Sequence, residues 1–360
     1  MAETRNRGDR FRLLKGASYM KRVPLLLVGV VLASLSLLAG CAPAGKPIAI
    51  AWLPNNSGDN EKGMRAAFDK LVADATGRRV EDKLTTDYNI AIAALDSGDA
   101  PLGWFGPFEY MVGHAKNPHV VPLVVESGDS GTVQDALYHS RLLVKKGTEG
   151  LYKTGDTYSI DKIVGKKISF VSTSSTSGFN MPSSAIMAYF HTQDKWKNLT
   201  RDDLMQGGPG KFFGQVMFSG SHQLSLANLL LGKVDVAAVD DVDVASNLEL
   251  KSGTDNLEGA VYSVRKGADA PFDTLTGQEF VIIKSIPVQN TPLEANDSAL
   301  DKATLDKITQ ALTADAVAKN EAIFAPQGST TATVFRAPHR FVKVDDSWYD
   351  PMRKVLGIQE

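Results

Sequence analysis

The most informative segment of the chain reads ISFVSTSSTSGFNMP, at residues 168–182. Its apolar start is typical of a buried strand, and its hydroxyl-rich loop with Gly178 leads toward helical spacing at residues 186–190. Such a loop offers hydroxyl donors and free backbone N–H groups at the positive end of a helix, where phosphate-like anions bind. Hydrogen bonds to a charged group contribute about 1.5–3 kcal/mol each, so four or five could hold an oxyanion without lysine. The motif is equally compatible with a loop in which Ser177 only caps the helix.

A second loop of this type, SGSH at residues 219–222, opens a helix predicted at 224–231. His222 would lie in the first turn with its ring free to donate to an anion, although a surface histidine in a turn is the alternative reading. Asp240, Asp241 and Asp243 follow the predicted strand VDVAAV at its carboxyl end, where open α/β sheets bind their ligands. Each aspartate could accept a hydrogen bond from a ligand or be a solvated loop charge.

Strands and helices alternate along the rest of the chain. Short apolar runs predict strands at 47–53, 101–105, 120–125, 140–144, 168–171, 215–218, 234–239 and 280–283. Helical spacing occurs at 64–75, 88–95, 108–115, 186–190, 224–231 and 302–323. This alternation predicts an α/β fold with mainly parallel sheets flanked by helices. A chain of 360 residues forms about two domains, and two lobes without a flexible linker suggest a chain that crosses between them more than once.

Residues 1–40 have the features of an export signal. VPLLLVGVVLASLSLLAG, at residues 23–40, contains no charged residue in 18 positions and follows Lys21 and Arg22. A basic start, an apolar centre and a small-residue end are the parts of a secretory signal. The run ends at Leu-Ala-Gly-Cys, at residues 38–41. This sequence resembles the bacterial lipobox, whose cysteine thiol receives a diacylglycerol before the chain is cleaved on its N-terminal side. The resemblance predicts that Cys41 is lipidated and that residues 1–40 are then removed. A single membrane anchor is the alternative, because 18 apolar residues can just span a bilayer.

Composition excludes several classes of protein. With 43% hydrophobic and 22% charged residues the chain is globular, and its single cysteine excludes an internal disulfide framework. The net charge of −2 gives no indication of nucleic acid as a partner. Residues 1–40 hold seven basic and two acidic residues, so cleavage would leave 39 − 7 = 32 basic, 41 − 2 = 39 acidic and a net charge of −7. Such a chain must bind an anion through local donors rather than its overall field.

Catalytic and metal-binding motifs are weak. The chain has no G-x-S-x-G elbow, GGPGKF at 207–212 lacks the spacing of a phosphate-binding P-loop, and the six histidines show no metal-site pattern. We therefore predict a binding protein without cofactor or metal rather than an enzyme.

Together these motifs resemble the substrate-binding proteins of phosphonate ABC transporters, a family that also includes phosphite and phosphate binders. The resemblance runs from about residue 49 to residue 325. It rests on Asp87-Tyr88 opening a helix, WFGP at 104–107, Tyr138 before the strand SRLLV, STSGF at 175–179 with Pro182, SHQ at 221–223 and VDVA at 234–237.

The resemblance implies the type II periplasmic-binding-protein fold, with two lobes joined by two crossing strands that act as a hinge. We place the first lobe at residues 41–138 and 259–360 and the second at 139–258. The resemblance also implies that Ser175, Thr176, Ser177 and His222 grip the phosphoryl oxygens. Tyr88 and Tyr138 match two family tyrosines, whose hydroxyls can donate to oxygen while the rings pack on the carbon substituent of the ligand.

The chain departs from the family where aminoalkylphosphonate binders hold the ligand ammonium. One such position falls on Val242, beside Asp241 and Asp243, and the other falls near Gln278. This departure favours phosphate, phosphite or a simple alkylphosphonate as the ligand. We assign Asp241 to the ligand-binding site as its carboxylate.

The function implied is that of a monomeric, lipid-anchored extracytoplasmic receptor, which delivers such an anion to a membrane permease driven by an ATPase. Three alternatives stay open. The protein could be a receptor for another small ligand, such as a sulfonate, a thiamine-like cation or an amino acid. It could also be a sensory protein, or a lipoprotein hydrolase using Ser175, Ser177 or Ser221 with His222.

Overall fold

The computed structural model describes residues 45–358, except residues 57, 327, 328 and 330. The predicted export signal and Cys41 lie outside the described residues. The strands of the two large sheets are, in chain order, β1 (Ile48–Trp52), β2 (Val80–Leu84), β3 (Leu102–Trp104), β4 (Val120–Glu126), β5 (Leu137–Lys145), β6 (Lys167–Phe170), β7 (Gln215–Phe218), β8 (Val236–Asp240), β9 (Leu248–Ser252), β10 (Val261–Val264), β11 (Glu279–Gln289), β12 (Pro292–Asn296) and β13 (Phe341–Lys343). The α-helices described are α1 (Lys62–Thr76), α2 (Tyr88–Asp96), α3 (Pro107–Lys116), α4 (Met181–Phe190), α5 (Arg201–Leu204), α6 (His222–Leu230), α7 (Lys302–Leu312), α8 (Asp315–Ala318) and α9 (Asp350–Leu356).

The first sheet has six strands in the order β13-β4-β12-β3-β1-β2. β1 pairs in parallel with β2 and β3, as the strand–helix alternation predicts. β12 is antiparallel to both β3 and β4, and β13 is antiparallel to β4. The sheet is therefore mixed, because strands from the end of the chain are added to a parallel core.

The second sheet has seven strands in the order β9-β10-β11-β5-β8-β6-β7. Its parallel part is β8-β6-β7, and its remaining neighbours are antiparallel. The α/β class and the two-lobed architecture are confirmed, with mixed sheets in place of the mainly parallel sheets expected.

The chain crosses between the sheets twice, at residues 127–136 and at residues 290–291. β5 and β11 begin and end at these crossings and pair along their length, from Leu137 opposite Gln289 to Lys145 opposite Phe280. We placed the return to the first lobe at residue 259, but β10 and β11 belong to the second sheet and the chain re-enters the first sheet at β12. The difference arises because β11 is a long strand, of which only residues 280–283 have an uninterrupted apolar pattern.

Each lobe has its own aromatic core. In the first lobe Phe68 of α1 packs edge-on against Trp52 and Trp104, with ring centroids 5.9 and 6.2 Å apart. In the second lobe Phe170, at the end of β6, packs edge-on against Phe179 at 5.0 Å. This contact fixes the two ends of the hydroxyl-rich loop that lies between them.

One predicted helix is shorter than expected. Helical spacing at 302–323 corresponds to α7, which ends at Leu312, and the short α8. The buried stripe of Leu305, Ile308 and Leu312 explains the periodicity, and the Thr313 hydroxyl donates back to the Thr309 carbonyl at 2.9 Å where α7 ends.

Candidate ligand-binding site

A cavity of about 50 Å³ lies between the two lobes. One water needs roughly 10–15 Å³ of such space, so the cavity suits a ligand of a few non-hydrogen atoms. The first lobe contributes polar lining residues from the loops after β1 and β3 and from the start of α2, and the second lobe contributes the loops after β6 and β8 and the start of α6. These residues include Asn55, Asn56, Tyr88, Gly106, Glu109, Tyr138, Ser175, Thr176, Ser177, His222, Asp240 and Asp243.

The hydroxyl-rich loop is held by its own hydrogen bonds. The Ser175 side chain accepts from the Gly178 N–H at 3.0 Å and starts a π-helical turn over Thr176–Asn180, which leads into α4. The Asn180 amide donates to the Thr173 and Ser175 carbonyls at 3.1 and 2.9 Å. A Cβ on Gly178 would lie 2.4 Å from the Val171 Cβ, so only glycine allows this close approach. These contacts within the protein define the conformation of the loop.

His222 is the first residue of α6, as the SGSH motif indicates. Its Nδ1 accepts the backbone N–H of Asp240 at 2.9 Å, so the proton of the neutral ring lies on Nε2. Nε2 is 3.4 Å from the Ser177 Oγ and 3.3 Å from the Asp240 Oδ2. Burial lowers the pKa of His222 to about 4. The ring is therefore neutral near pH 7 and offers one N–H to the cavity.

The same geometry does not fit a serine hydrolase. A catalytic histidine accepts the serine proton on one ring nitrogen while an acid orients the other. Here the nitrogen beside Ser177 carries the proton, and Asp240 contacts that same nitrogen.

The two predicted tyrosines both line the cavity. Tyr88 is placed by the Asp87 cap, whose carboxylate accepts from the Asn89 and Ile90 N–H groups at 2.8 and 3.3 Å, and its hydroxyl accepts from the Asn55 amide at 2.9 Å. Tyr138 lies on β5 at the crossing between the lobes. Burial raises the pKa of both phenols well above the usual value, so they remain neutral donors.

Carboxyl groups supply the acceptors of the cavity. Glu109 accepts from the Thr176 hydroxyl at 2.6 Å, and burial raises its pKa to about 7. Asp240 is buried and its pKa rises to about 7, while burial and the charge of Asp240 raise the pKa of Asp243 well above the usual range. None of the described residues that line the cavity is a lysine or an arginine.

His222, Asp240 and Asp243 each offer one atom within 4.8 Å of the others. A metal ion would need the Nε2 lone pair of His222, but both ring nitrogens of a neutral imidazole cannot be acceptors at once. The donor set therefore fits a hydrogen-bonded ligand better than a metal.

Asp241 is placed differently from the sequence prediction. Its side chain points away from the cavity and accepts from the His139 N–H and the Asn256 amide, both at 2.8 Å. The cavity-lining aspartates are its neighbours Asp240 and Asp243, because the hydrogen bonds to His139 and Asn256 hold the Asp241 side chain elsewhere. Of the two positions compared with the ammonium site, Val242 lines the cavity and Gln278 does not.

Hydrogen bonds between the lobes close the cavity. The Thr176 Oγ1 accepts from the Phe108 N–H at 2.7 Å and donates to Glu109. Asn55, which the sequence reading missed, accepts from the His222 N–H at 3.2 Å through its side chain. Asn56 donates to the Asp243 Oδ1 at 3.0 Å. Both asparagines lie in PNNSGDNEKG, a polar loop that follows the first strand. Because ligands of open α/β sheets bind at the carboxyl ends of strands, the position of this loop could have indicated them as site residues.

The family of periplasmic substrate-binding proteins of phosphonate ABC transporters matches residues 50–349. The chain belongs to this family. It is therefore a transport binding protein rather than an enzyme, it functions outside the cytoplasm, and it belongs with the binding proteins of phosphonate ABC transporters. None of the helices in the described part of the chain is long and apolar enough to cross a membrane.

Relatives and solved structures agree with this assignment. The phosphate-import protein PhnD of Mycolicibacterium smegmatis is 24% identical over 353 residues, which cover 92% of this chain and 95% of that protein. A binding-protein component of an ABC phosphonate transporter from Pseudomonas aeruginosa has a TM-score of 0.60 at 17% identity and 86% coverage of both chains. PhnD1 of Prochlorococcus marinus, solved in complex with methylphosphonate, has a TM-score of 0.59 at 17% identity, with 86% of this chain and 97% of that chain covered. The two structures establish the shared fold.

Proposed function

We propose that this protein is a lipid-anchored, monomeric receptor that captures phosphate, phosphite or a simple alkylphosphonate between its lobes and delivers it to the permease. The observation that carries the proposal is a small cavity between the lobes in which neutral donors converge: Ser175, Ser177, the Nε2–H of His222 and two tyrosine hydroxyls. Each hydrogen bond to an anionic oxygen contributes about 1.5–3 kcal/mol, so these groups can hold an oxyanion without a cation.

The bonds between the lobes support capture by closure. Thr176 and Asn55 complete their hydrogen bonds only when the lobes meet. Closure would exclude water from the anion and strengthen every hydrogen bond to it. The closed form would then be the species that the permease recognises.

Cavity size supports a small ligand. Phosphate, phosphite and methylphosphonate have at most five non-hydrogen atoms, which suits about 50 Å³. A longer aminoalkyl chain would need extra room, and Val242 offers no polar group to its ammonium.

A thermal-shift panel tests the ligand class, because a ligand that binds only the folded state raises the melting temperature. We expect stabilisation by phosphate, phosphite or methylphosphonate and none by amino acids. Stabilisation by amino acids alone would contradict the proposal.

The anchor is tested separately on the full chain. We expect the wild-type protein to incorporate labelled fatty acid and the Cys41→Ser variant to incorporate none. Equal labelling of both forms would contradict lipidation at Cys41.

A further inference from the structure

The proposed anion site contains an unusual number of acceptors. Glu109, Glu126, Asp240 and Asp243 all line the cavity. A fully deprotonated anion would meet carboxyl oxygens at several points of a cavity lined by buried residues, where like charges repel strongly. Some group in the complex must therefore carry a proton to these oxygens.

Asp240 and Asp243 form a compact pair. The Asp243 backbone N–H donates to the Asp240 Oδ1 at 3.1 Å, and an oxygen of each carboxyl group lies within 4.8 Å of the other. Burial raises the pKa of both groups, and the charge of Asp240 raises the pKa of Asp243 further, which favours one proton on the pair. With one proton on four carboxyl oxygens, most of the hydrogen-bonding sites of the pair are acceptors.

Donors lie directly beside this pair. The Asp240 Oδ2 is 3.3 Å from the His222 Nε2, which is 3.4 Å from the Ser177 Oγ. Asn56 fixes the Asp243 Oδ1 at 3.0 Å. The cavity thus presents hydroxyl and imidazole donors on one side and carboxyl acceptors on the other.

We propose that the Asp240–Asp243 pair is the specificity-determining element of the site and accepts a hydrogen bond from a hydroxyl group on the bound oxyanion. The ligand would then be the singly protonated form of a phosphorus oxyanion, with two anionic oxygens on the donors and one P–OH on the pair. A sulfonate has the same tetrahedral shape and the same single charge as this form, but no hydroxyl group. The inference rests on the proposed function and chooses between phosphorus oxyanions and sulfonates.

The charged surroundings of Asp243 strengthen this requirement. It faces Asp240 on its own loop, the neutral His222 on α6, and Glu61 and Glu109 from the first lobe. Two cations lie close to this loop: Arg141 donates to the Asp240 carbonyl and Arg336 to the Asp241 carbonyl, and neither lines the cavity. Carboxyl groups outnumber cations around the pair.

The test compares methylphosphonate with methanesulfonate by calorimetry near pH 6–7, where a phosphoryl group is partly monoprotonated. We expect the wild-type protein to prefer methylphosphonate by at least about 100-fold, because a site built around a ligand hydroxyl rejects an analogue that lacks it. Asp243→Asn supplies an amide N–H that can donate to a sulfonate oxygen, so the preference should fall below about tenfold. Asp99→Asn is the matched control, since Asp99 is exposed and forms a long surface ion pair with Lys83, 4.0 Å between Oδ2 and Nζ. This variant should retain the wild-type preference.

Equal binding of the two ligands by the wild-type protein would overturn the inference, and so would an unchanged preference in a folded Asp243→Asn variant. A second measurement needs no variant: calorimetry in two buffers with different ionisation enthalpies, above the second ionisation of methylphosphonate. We expect uptake of about one proton per ligand bound, and binding without proton uptake would overturn the inference. If no phosphorus oxyanion bound at all, the proposed function itself would fail, which is a distinct result.

Discussion

Replacement of Thr176 by valine tests whether contacts between the lobes contribute to ligand affinity. The buried Thr176 hydroxyl accepts from the Phe108 N–H at 2.7 Å and donates to the Glu109 Oε2 at 2.6 Å. Valine keeps the shape of the side chain but makes neither bond. A neutral hydrogen bond contributes about 0.5–1.5 kcal/mol and one to a charged group about 1.5–3 kcal/mol, so the closed state should lose about 2–4.5 kcal/mol. That loss weakens binding about 30- to 1,600-fold.

The assay is calorimetry with methylphosphonate, together with thermal unfolding of the ligand-free protein. Both hydrogen bonds span the lobes, so the melting temperature of an open, ligand-free protein should change little. Thr173→Val is the matched control, because Thr173 belongs to the same loop but is exposed, and its affinity should equal that of the wild-type protein. A Thr176→Val variant that binds within about threefold of the wild-type affinity would refute the contribution of these bonds.

Two further predictions concern closure and pH. A Cβ on Gly106 would lie 2.5 Å from the Thr176 Oγ1 and 2.6 Å from the Glu109 Oε2, so Gly106→Ala should weaken binding by more than about tenfold with ligand-free stability retained. Gly113→Ala, whose Cβ would meet nothing closer than 3.8 Å, should bind methylphosphonate with wild-type affinity. Equal affinities of the two variants would contradict the idea that a methyl group at position 106 obstructs closure of the lobes. Burial and the charge of Asp243 raise the pKa of Glu61 to about 8 from a usual value of 4.5. Between these two pH values the unfolded chain has lost the Glu61 proton while the folded protein keeps it, so the free energy of unfolding falls as the pH rises. Glu61→Gln should therefore raise the melting temperature near pH 8 by at least about 2–4 °C and leave it nearly unchanged near pH 5, whereas an equal effect at both pH values would contradict burial of a protonated carboxyl.

The parts of the site that follow strands and open helices were predictable from sequence. Ser175, Thr176, Ser177 and His222 stand directly after apolar runs and before helical spacing, and the rule that ligands bind at carboxyl strand ends brings them together. The structure places all four in one cavity with Tyr88 and Tyr138.

The acidic members of the site were less predictable. Glu109 lies in the first turn of α3, where most carboxylates face solvent and merely favour the helix dipole. Its burial and its hydrogen bond from Thr176 of the other lobe are tertiary contacts that the sequence does not indicate. Asp240, Asp241 and Asp243 could not be separated, because side-chain direction in an irregular turn depends on backbone angles that the sequence does not specify.

Fewer strands were predicted from the sequence than the two sheets contain, because some strands depend on tertiary contacts. β2 (VEDKL) and β9 (LELKS) are largely exposed and lack an apolar pattern, so tertiary pairing rather than local sequence makes them strands. β12 carries the buried Glu294 in its centre, which also obscured its apolar character.

Calorimetric titration of the protein with phosphate, phosphite and methylphosphonate is the most direct test of anion capture. We expect at least one of them to bind at one molecule per chain with a dissociation constant of about 1 μM or below, equivalent to about −8 kcal/mol, since several hydrogen bonds to a charged group are available. Absence of binding by all three at millimolar concentration, in a protein shown to be folded, would contradict this expectation.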